Sequence, residues 1–420
     1  MPRLRLFDPG DPTEFVGWRI PALIIATLFV NVPFWFTQGD DFWRLNSPLL
    51  ATAAWSAAAL LCAILFFLGP ALNAQAANSF PAMLASTFGR VPGTCVQIVC
   101  AIYVVIWISS LLAMTSFWLE PRNHPWTPLE TAAISAAVLT VAALTAWQSI
   151  RTTAVLARFS IHLGTAILIA ALIRARSGWP AIPHGFETVL QRSLPVDLWW
   201  GFSYLSYAVA PLALLAAAFV RRCATRKSVV IVATLGIVVP LAGSMVIATA
   251  VSVATHASSL YRPSGHANIA MALTSGVTRQ HERAVLIIFA LTIIGLLRFG
   301  AAALKNVAGG FHWLRFGCLF SAIVWCSAHA DRPAIAFMFD ATTQTLAAAC
   351  AVLTVDAIMR RKPPAWSATL ALLCGIAIPA FCRFWWPDLN EDAWRYGWLL
   401  PSYGIAFLST VLLRLLPVAR

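Results

Sequence analysis

"LTIIGLLRFGAAALKN", Leu291 to Asn306, is apolar or small throughout except for Arg298, until Lys305 and Asn306 close it. It ends a run, 284–304, of roughly the twenty residues that cross a hydrocarbon core. Comparable runs cover 20–38, 48–71, 95–119, 128–147, 153–173, 196–220, 228–255, 316–330, 333–358, 366–384 and 398–416, giving twelve spans; the ninth is interrupted near His329. Of the 420 residues, 60% are hydrophobic and 11% charged, the balance of an integral membrane protein. Backbone groups cannot stay unpaired in lipid, and no short alternating barrel pattern occurs, so the expected fold class is an all-α polytopic bundle.

No low-complexity segment or linker divides the chain, which predicts a cytoplasmic segment, 1–19, followed by one transmembrane domain, 20–420. The first run carries Asn31, Pro33 and Trp35 and leads into "QGDDFWR" rather than a cleavage site, so it is expected to remain as a span. With the N-terminus inside, sixteen of the 29 Lys and Arg residues fall on the inner side, against five in short outer connections. That bias predicts an inner-membrane protein with both termini cytoplasmic.

The net charge of +13 is dispersed in short clusters at helix ends, where it meets lipid headgroups, so no nucleic-acid partner is expected. Nine cysteines without CxxC or His-rich spacing predict neither a metal site nor a disulfide framework, and no cofactor is expected.

Two spans carry helix-breaking residues. "FVNVPFWF", Phe29 to Phe36, places Pro33 where it disfavours helical geometry at Val32, with Asn31 able to bond the freed groups. "GFSYLSYAVAPLALL", Gly201 to Leu215, groups serines, Tyr204, Tyr207 and Pro211 before an aliphatic half. Interrupted spans expose backbone to a ligand at mid-depth, although a kink without function and hydroxyls bridging helices are alternatives.

"NSFPAMLASTFG", Asn78 to Gly89, resembles the segment between helices two and three of the nucleobase-cation symporter family of cytosine, uracil, allantoin and hydantoin permeases. Phe80, Pro81, Thr87, Phe88 and Gly89 match, while Ala85 replaces an arginine. "LTVDAIMRRK" is similar to the end of the family's tenth helix through Asp356 and Arg361. "LARFSIH" has Ala157 and His162 in place of the family's Glu and Pro, and "AAFVRRCATRKS" retains Phe219 and Arg221. The resemblance implies two inverted five-helix repeats, 20–173 and 196–358, then two extra helices, 366–416. Substrate would lie between broken spans one and six and spans three and eight.

Carried over, the resemblance gives a substrate site of Asn31, Val32, Trp107, Ser110, Leu111, Tyr204, Tyr207 and Gly300. Trp107 would stack on a flat heterocycle, with packing as the alternative. Leu111 replaces the family's glutamine, Gly300 its asparagine, and Ile294 and Gly295 its sodium-ligating hydroxyls.

Arg298 lies roughly 21 Å into its span at 1.5 Å per residue, on the cytoplasmic side of the midplane. Three readings are open: a fixed charge in place of sodium, snorkelling to the inner headgroups, or binding of an anionic substrate. The first predicts sodium-independent transport, with any proton carried by His162 or Asp340. The expected function is a secondary transporter, not an enzyme, moving a small planar nitrogen-containing solute and touching only solute, lipid and a proton or no coupling ion. Alternatives are an exporter of a more apolar metabolite and a sensor that moves nothing.

Overall fold

A computed structural model describes residues 17–30, 60–61, 63–77, 79–119, 127–146, 150–180, 210–221, 223, 225–257, 295–300, 302–304, 307, 313–329, 333–359, 365–385 and 399–415. They form thirteen helices and, among the described residues, no strand. These are α1 (Arg19–Phe29), α2 (Ala63–Leu68 as a π-helical turn, then Gly69–Ala76), α3 (Phe80–Phe88), α4 (Arg90–Leu119), α5 (Pro128–Ala146), α6 (Ile150–Arg174) and α7 (Ala210–Val220). After them come α8 (Arg226–Ala257, π-helical over Thr234–Val238), α9 (Gly295–Leu304), α10 (Trp313–Ala328), α11 (Pro333–Met359), α12 (Ala365–Trp385) and α13 (Leu399–Leu415). Every one of the twelve expected spans overlaps one of them, and α3 is the short helix between the second and third.

Four helices are long and apolar enough to cross a bilayer by length and composition: those containing Arg90–Ala113, Thr153–Arg174, Arg226–Ser244 and Phe337–Met359. Their outer faces are apolar too. Ile98 and Ile102 on α4, Val155 and Phe159 on α6, and Leu370, Leu373 and Phe381 on α12 all project from the bundle. Aliphatic faces of that size have lipid as their natural solvent. The protein is a multi-pass membrane protein.

Local chemistry sets the helix ends. Ser79 caps α3 by accepting from Ala82 N, Pro81 sits in the first turn, and Gly89 ends the helix at φ 87°. Thr127 and Glu130 form a reciprocal capping box at the start of α5. The motif residues on α3 bond this helix to two others. Thr87 Oγ1 donates to Asp356 Oδ2 at 3.3 Å, and Phe88 O accepts from Thr369 on α12. Asp356 Oδ1 lies 2.8 Å from Arg414 Nη2 of α13. Two of the motifs that carry the family resemblance therefore touch.

The second and seventh spans both contain a π-helical turn, and the two turns pack together. Such a turn releases carbonyls from the regular ladder. Leu65 O is recovered by Thr354 Oγ1 of α11 at 3.0 Å and Tyr403 OH of α13 at 3.1 Å. In α8 the turn brings Gly236 against Ala22 O of α1. Tyr403→Phe is expected to lower stability by about 1 kcal/mol, and adding Thr354→Val to cost about 1–3 kcal/mol more by stranding Leu65 O. Thermal melts in detergent check this; unchanged midpoints for both variants would contradict it.

Candidate functional site

α1 stops inside its span. Val30 leaves helical geometry at φ −88°, ψ 48°, its N–H still bonded to Ala26 O, one residue before Asn31. Asn31, Val32, Tyr204 and Tyr207 lie outside the described residues. The described part of the sixth span begins at Ala210, with Pro211 in its first turn.

Among the described residues, α4 and α9 meet closely, the Ile108 side chain of α4 lying against the backbone of Gly300. A Cβ added at Gly300 would lie 2.6 Å from Ile108 Cδ1, 2.7 Å from Ile108 Cγ1 and 3.3 Å from Trp107 Cζ3. The Trp107 indole is 8% exposed and meets Phe299 edge-on, ring centroids 6.2 Å apart, and Phe299 packs against Phe219 of α7 at 5.1 Å. Trp107 and Gly300 are thus neighbours, and an aromatic row joins α4, α9 and α7. Leu111 is buried one turn further along α4. Ser110 Oγ donates to Ile106 O at 3.0 Å, while Ser109 Oγ bonds Val105 O and reaches Ile323 O of α10.

Arg298 turns the other way, toward α6. Its Nε and Nη2 donate to Thr153 Oγ1 at 3.1 and 2.8 Å, and the side chain is 1% exposed. A snorkelling guanidinium would leave the protein for the headgroups; this one is enclosed. Two turns along α6, Ser160 meets Gly295: a Cβ there would lie 2.2 Å from Ser160 Oγ and 2.9 Å from Thr27 Cγ2 of α1. The junction of α1, α6 and α9 is thus filled by small residues in contact, with a guanidinium below them.

His162 does not join this junction. Thr153, Ala157, Ser160 and Gly164 form the buried stripe of α6 at helical spacing, whereas Arg158 and His162 lie on its exposed face. His162 Nδ1 lies 2.7 Å from Arg158 O. The sequence fixes its depth but not its direction around the helix, and that direction takes it away from Arg298. Asp340 is half-buried on α11, next to Phe339, whose ring stacks on Tyr103 of α4 at 5.2 Å. Thr153 was absent from the expected site, although its place on a stripe of small residues marks the packed face of α6.

No protein-family model matches the chain, and no curated protein matches it. Solved structures do. A substrate-bound, outward-open Na+-coupled sialic acid symporter superposes with a TM-score of 0.67 at 11% identity, over 96% of this chain and 90% of that one. Mhp1, a nucleobase-cation-symport-1 family transporter in a closed conformation with bromovinylhydantoin bound, gives 0.59 at 13% identity, over 97% and 95%. The chain has the fold of these symporters. MhsT, solved in complex with L-phenylalanine, shares it at a TM-score of 0.53 and 13% identity, over 94% and 97%. In this symporter fold, α4, α7 and α9 converge at the Trp107 row, and α1, α6 and α9 at the Gly295 contact.

Proposed function

We propose that the protein is a secondary transporter that moves a small planar nitrogen-containing solute by alternating access, as a divergent relative of the nucleobase-cation symporters. The observation that carries this reading is the juxtaposition of Trp107 with Gly300, in a symporter fold extending over nearly the whole chain. An indole offers a flat apolar face to a heterocycle, and α1 ends at Phe29, where the last-turn carbonyls are left for its polar edge.

Two inverted five-helix repeats, 20–173 and 196–358, belong to the same reading. Helix pairings that exchange when each span is advanced by five support it: α6 with α8 corresponds to α11 with α2, and α4 with α11 to α9 with α6. The paired π turns in spans two and seven obey the same rule.

Transport in this reading is sodium-independent. Gly295 brings no side-chain oxygen and is pressed against Ser160, and the Arg298 guanidinium supplies a permanent charge that no cycle can release. Uniport or exchange follows, with Asp340 as the proton acceptor if a proton is coupled. The basic residues orient both termini toward the cytoplasm, in an inner membrane.

Counterflow of a radiolabelled heterocycle into proteoliposomes tests the reading. Trp107→Ala is expected to weaken half-saturation about tenfold, the upper end of what one aromatic contact contributes. Wild-type-like saturation in that variant would remove Trp107 from the site.

A further inference from the structure

Two motifs singled out in the sequence, the one on α3 and the Asp356 end of α11, have no part in the Trp107 row, yet they meet. Each oxygen of Asp356 has its own partner: Oδ1 accepts from Arg414 Nη2 of α13 at 2.8 Å, and Oδ2 from Thr87 Oγ1 of α3 at 3.3 Å. Arg414 Nη1 donates to Val355 O at 3.2 Å, so both tips of its fork are held on α11. The Arg414 side chain is 3% exposed and that of Asp356 20%, which sets the pair apart from a surface bridge. The two preceding residues of α11 bond α2: Leu353 O accepts from Asn73 Nδ2 at 2.7 Å, and Thr354 Oγ1 donates to Leu65 O. Four consecutive residues of α11 thus bond α2, α3 and α13.

The fastening reaches the candidate site through α3. Gly89 alone separates α3 from α4, and the two helices pack so closely that a Cβ at Gly93 would lie 2.9 Å from Leu84 C and O. A shift of α3 against α11 therefore displaces the first turn of α4, the helix that bears Trp107. Farther along, α4 and α11 meet ring on ring, Tyr103 and Phe339 with centroids 5.2 Å apart, a contact that can slide without stranding a charge. Opening the Arg414 pair would strand one, and doing so in every cycle would slow turnover by at least about a hundredfold.

Resting on the transporter reading above, we propose that Arg414 is a positioning residue of the transport cycle: it holds Asp356 for Thr87, and so keeps the start of α4 fixed to the end of α11 while the rest of the two helices moves. α13 contributes no residue to the candidate site. Through this clasp it sets the rate of the conformational change and leaves solute affinity alone.

The test pairs hydrogen–deuterium exchange of the purified full chain with counterflow of radiolabelled uracil and adenine. Arg414→Gln is expected to speed amide exchange over α3 about tenfold, although among the described residues Arg414 bonds only α11. Its maximal counterflow rate is expected to fall about tenfold with half-saturation unchanged, the split shown by a residue that acts on a step after binding. Thr87→Val keeps the ion pair, and with it the fold, but cuts the link to α3; the same two effects are expected with little change in melting midpoint. Wild-type exchange over α3 in both folded variants would overturn the proposal. So would faster exchange at an unchanged maximal rate, which would reduce Arg414 to packing, or half-saturation rising in step with the loss of rate. Should the wild type transport neither base, the heterocycle reading fails, while exchange over α3 still decides whether the clasp couples these helices.

Discussion

Replacing Arg298 with alanine is expected to abolish counterflow and to lower stability by about 2–4 kcal/mol, in the range for removing a large enclosed side chain. Both effects follow from the enclosure. The guanidinium fills the space between α9 and α6 and donates twice to one oxygen, Thr153 Oγ1. Deleting it leaves a cavity and a buried hydroxyl without that partner. Arg298→Lys keeps the charge but replaces a planar fork with a single point, which cannot reproduce both bonds. It is expected to fold, with transport reduced about tenfold to a hundredfold. Thr153→Val leaves Arg298 in place and removes one acceptor from it, at about 1–3 kcal/mol. Thermal melts paired with counterflow separate the two roles: a stable, fully active Arg298→Ala protein would show that the charge serves neither packing nor transport.

Gly69→Leu is expected to prevent assembly of the bundle, and Gly69→Ala to destabilise it by about 1–3 kcal/mol or more. A Cβ at this position would lie 2.4 Å from Thr354 Cα, a backbone atom, so relief requires α2 to part from α11. That separation would also break the bonds from Thr354 and Tyr403 to Leu65 O, at the π turn just before it. Gly404→Ala and Gly243→Ala are the controls. Nothing lies within 4 Å of a Cβ at either site, so each is expected to be neutral or to stabilise its helix by up to about 1 kcal/mol. Size-exclusion profiles and melting midpoints check the series, and a Gly69→Leu protein that elutes and melts like the wild type would refute the close packing of α2 on α11.

Span positions were legible in the sequence because bilayer thickness dictates the length of each apolar run. The expected limits 128–147 and 333–358 meet helices at Pro128–Ala146 and Pro333–Met359. α1 ends at Phe29 with Val30 already out of helical geometry, just before the Asn31–Pro33 stretch in which the sequence places an interruption and which lies outside the described residues. In the ninth span α10 is continuous from Trp313 to Ala328 and stops beside His329, where the sequence places an interruption.

The π turns left no local signature, because their freed carbonyl is satisfied from far along the chain, Leu65 by Thr354 and Tyr403. Depth along a helix can be counted from residue rise, but direction around it depends on which neighbours pack there. Arg298 therefore seemed as able to snorkel as to turn inward until Thr153, on a helix 145 residues earlier, was placed beside it. His162 illustrates the same limit in reverse: its depth suited a proton carrier, and its outward direction does not.

Solute exchange by the purified protein in liposomes, with every sodium ion replaced by choline on both sides, tests the central claim most directly. If the enclosed arginine at the α6–α9 junction takes the place of a bound cation, labelled solute is expected to accumulate at the same rate as in sodium buffer. Exchange that appears only when sodium is restored, or no exchange of any planar heterocycle in either buffer, would contradict it.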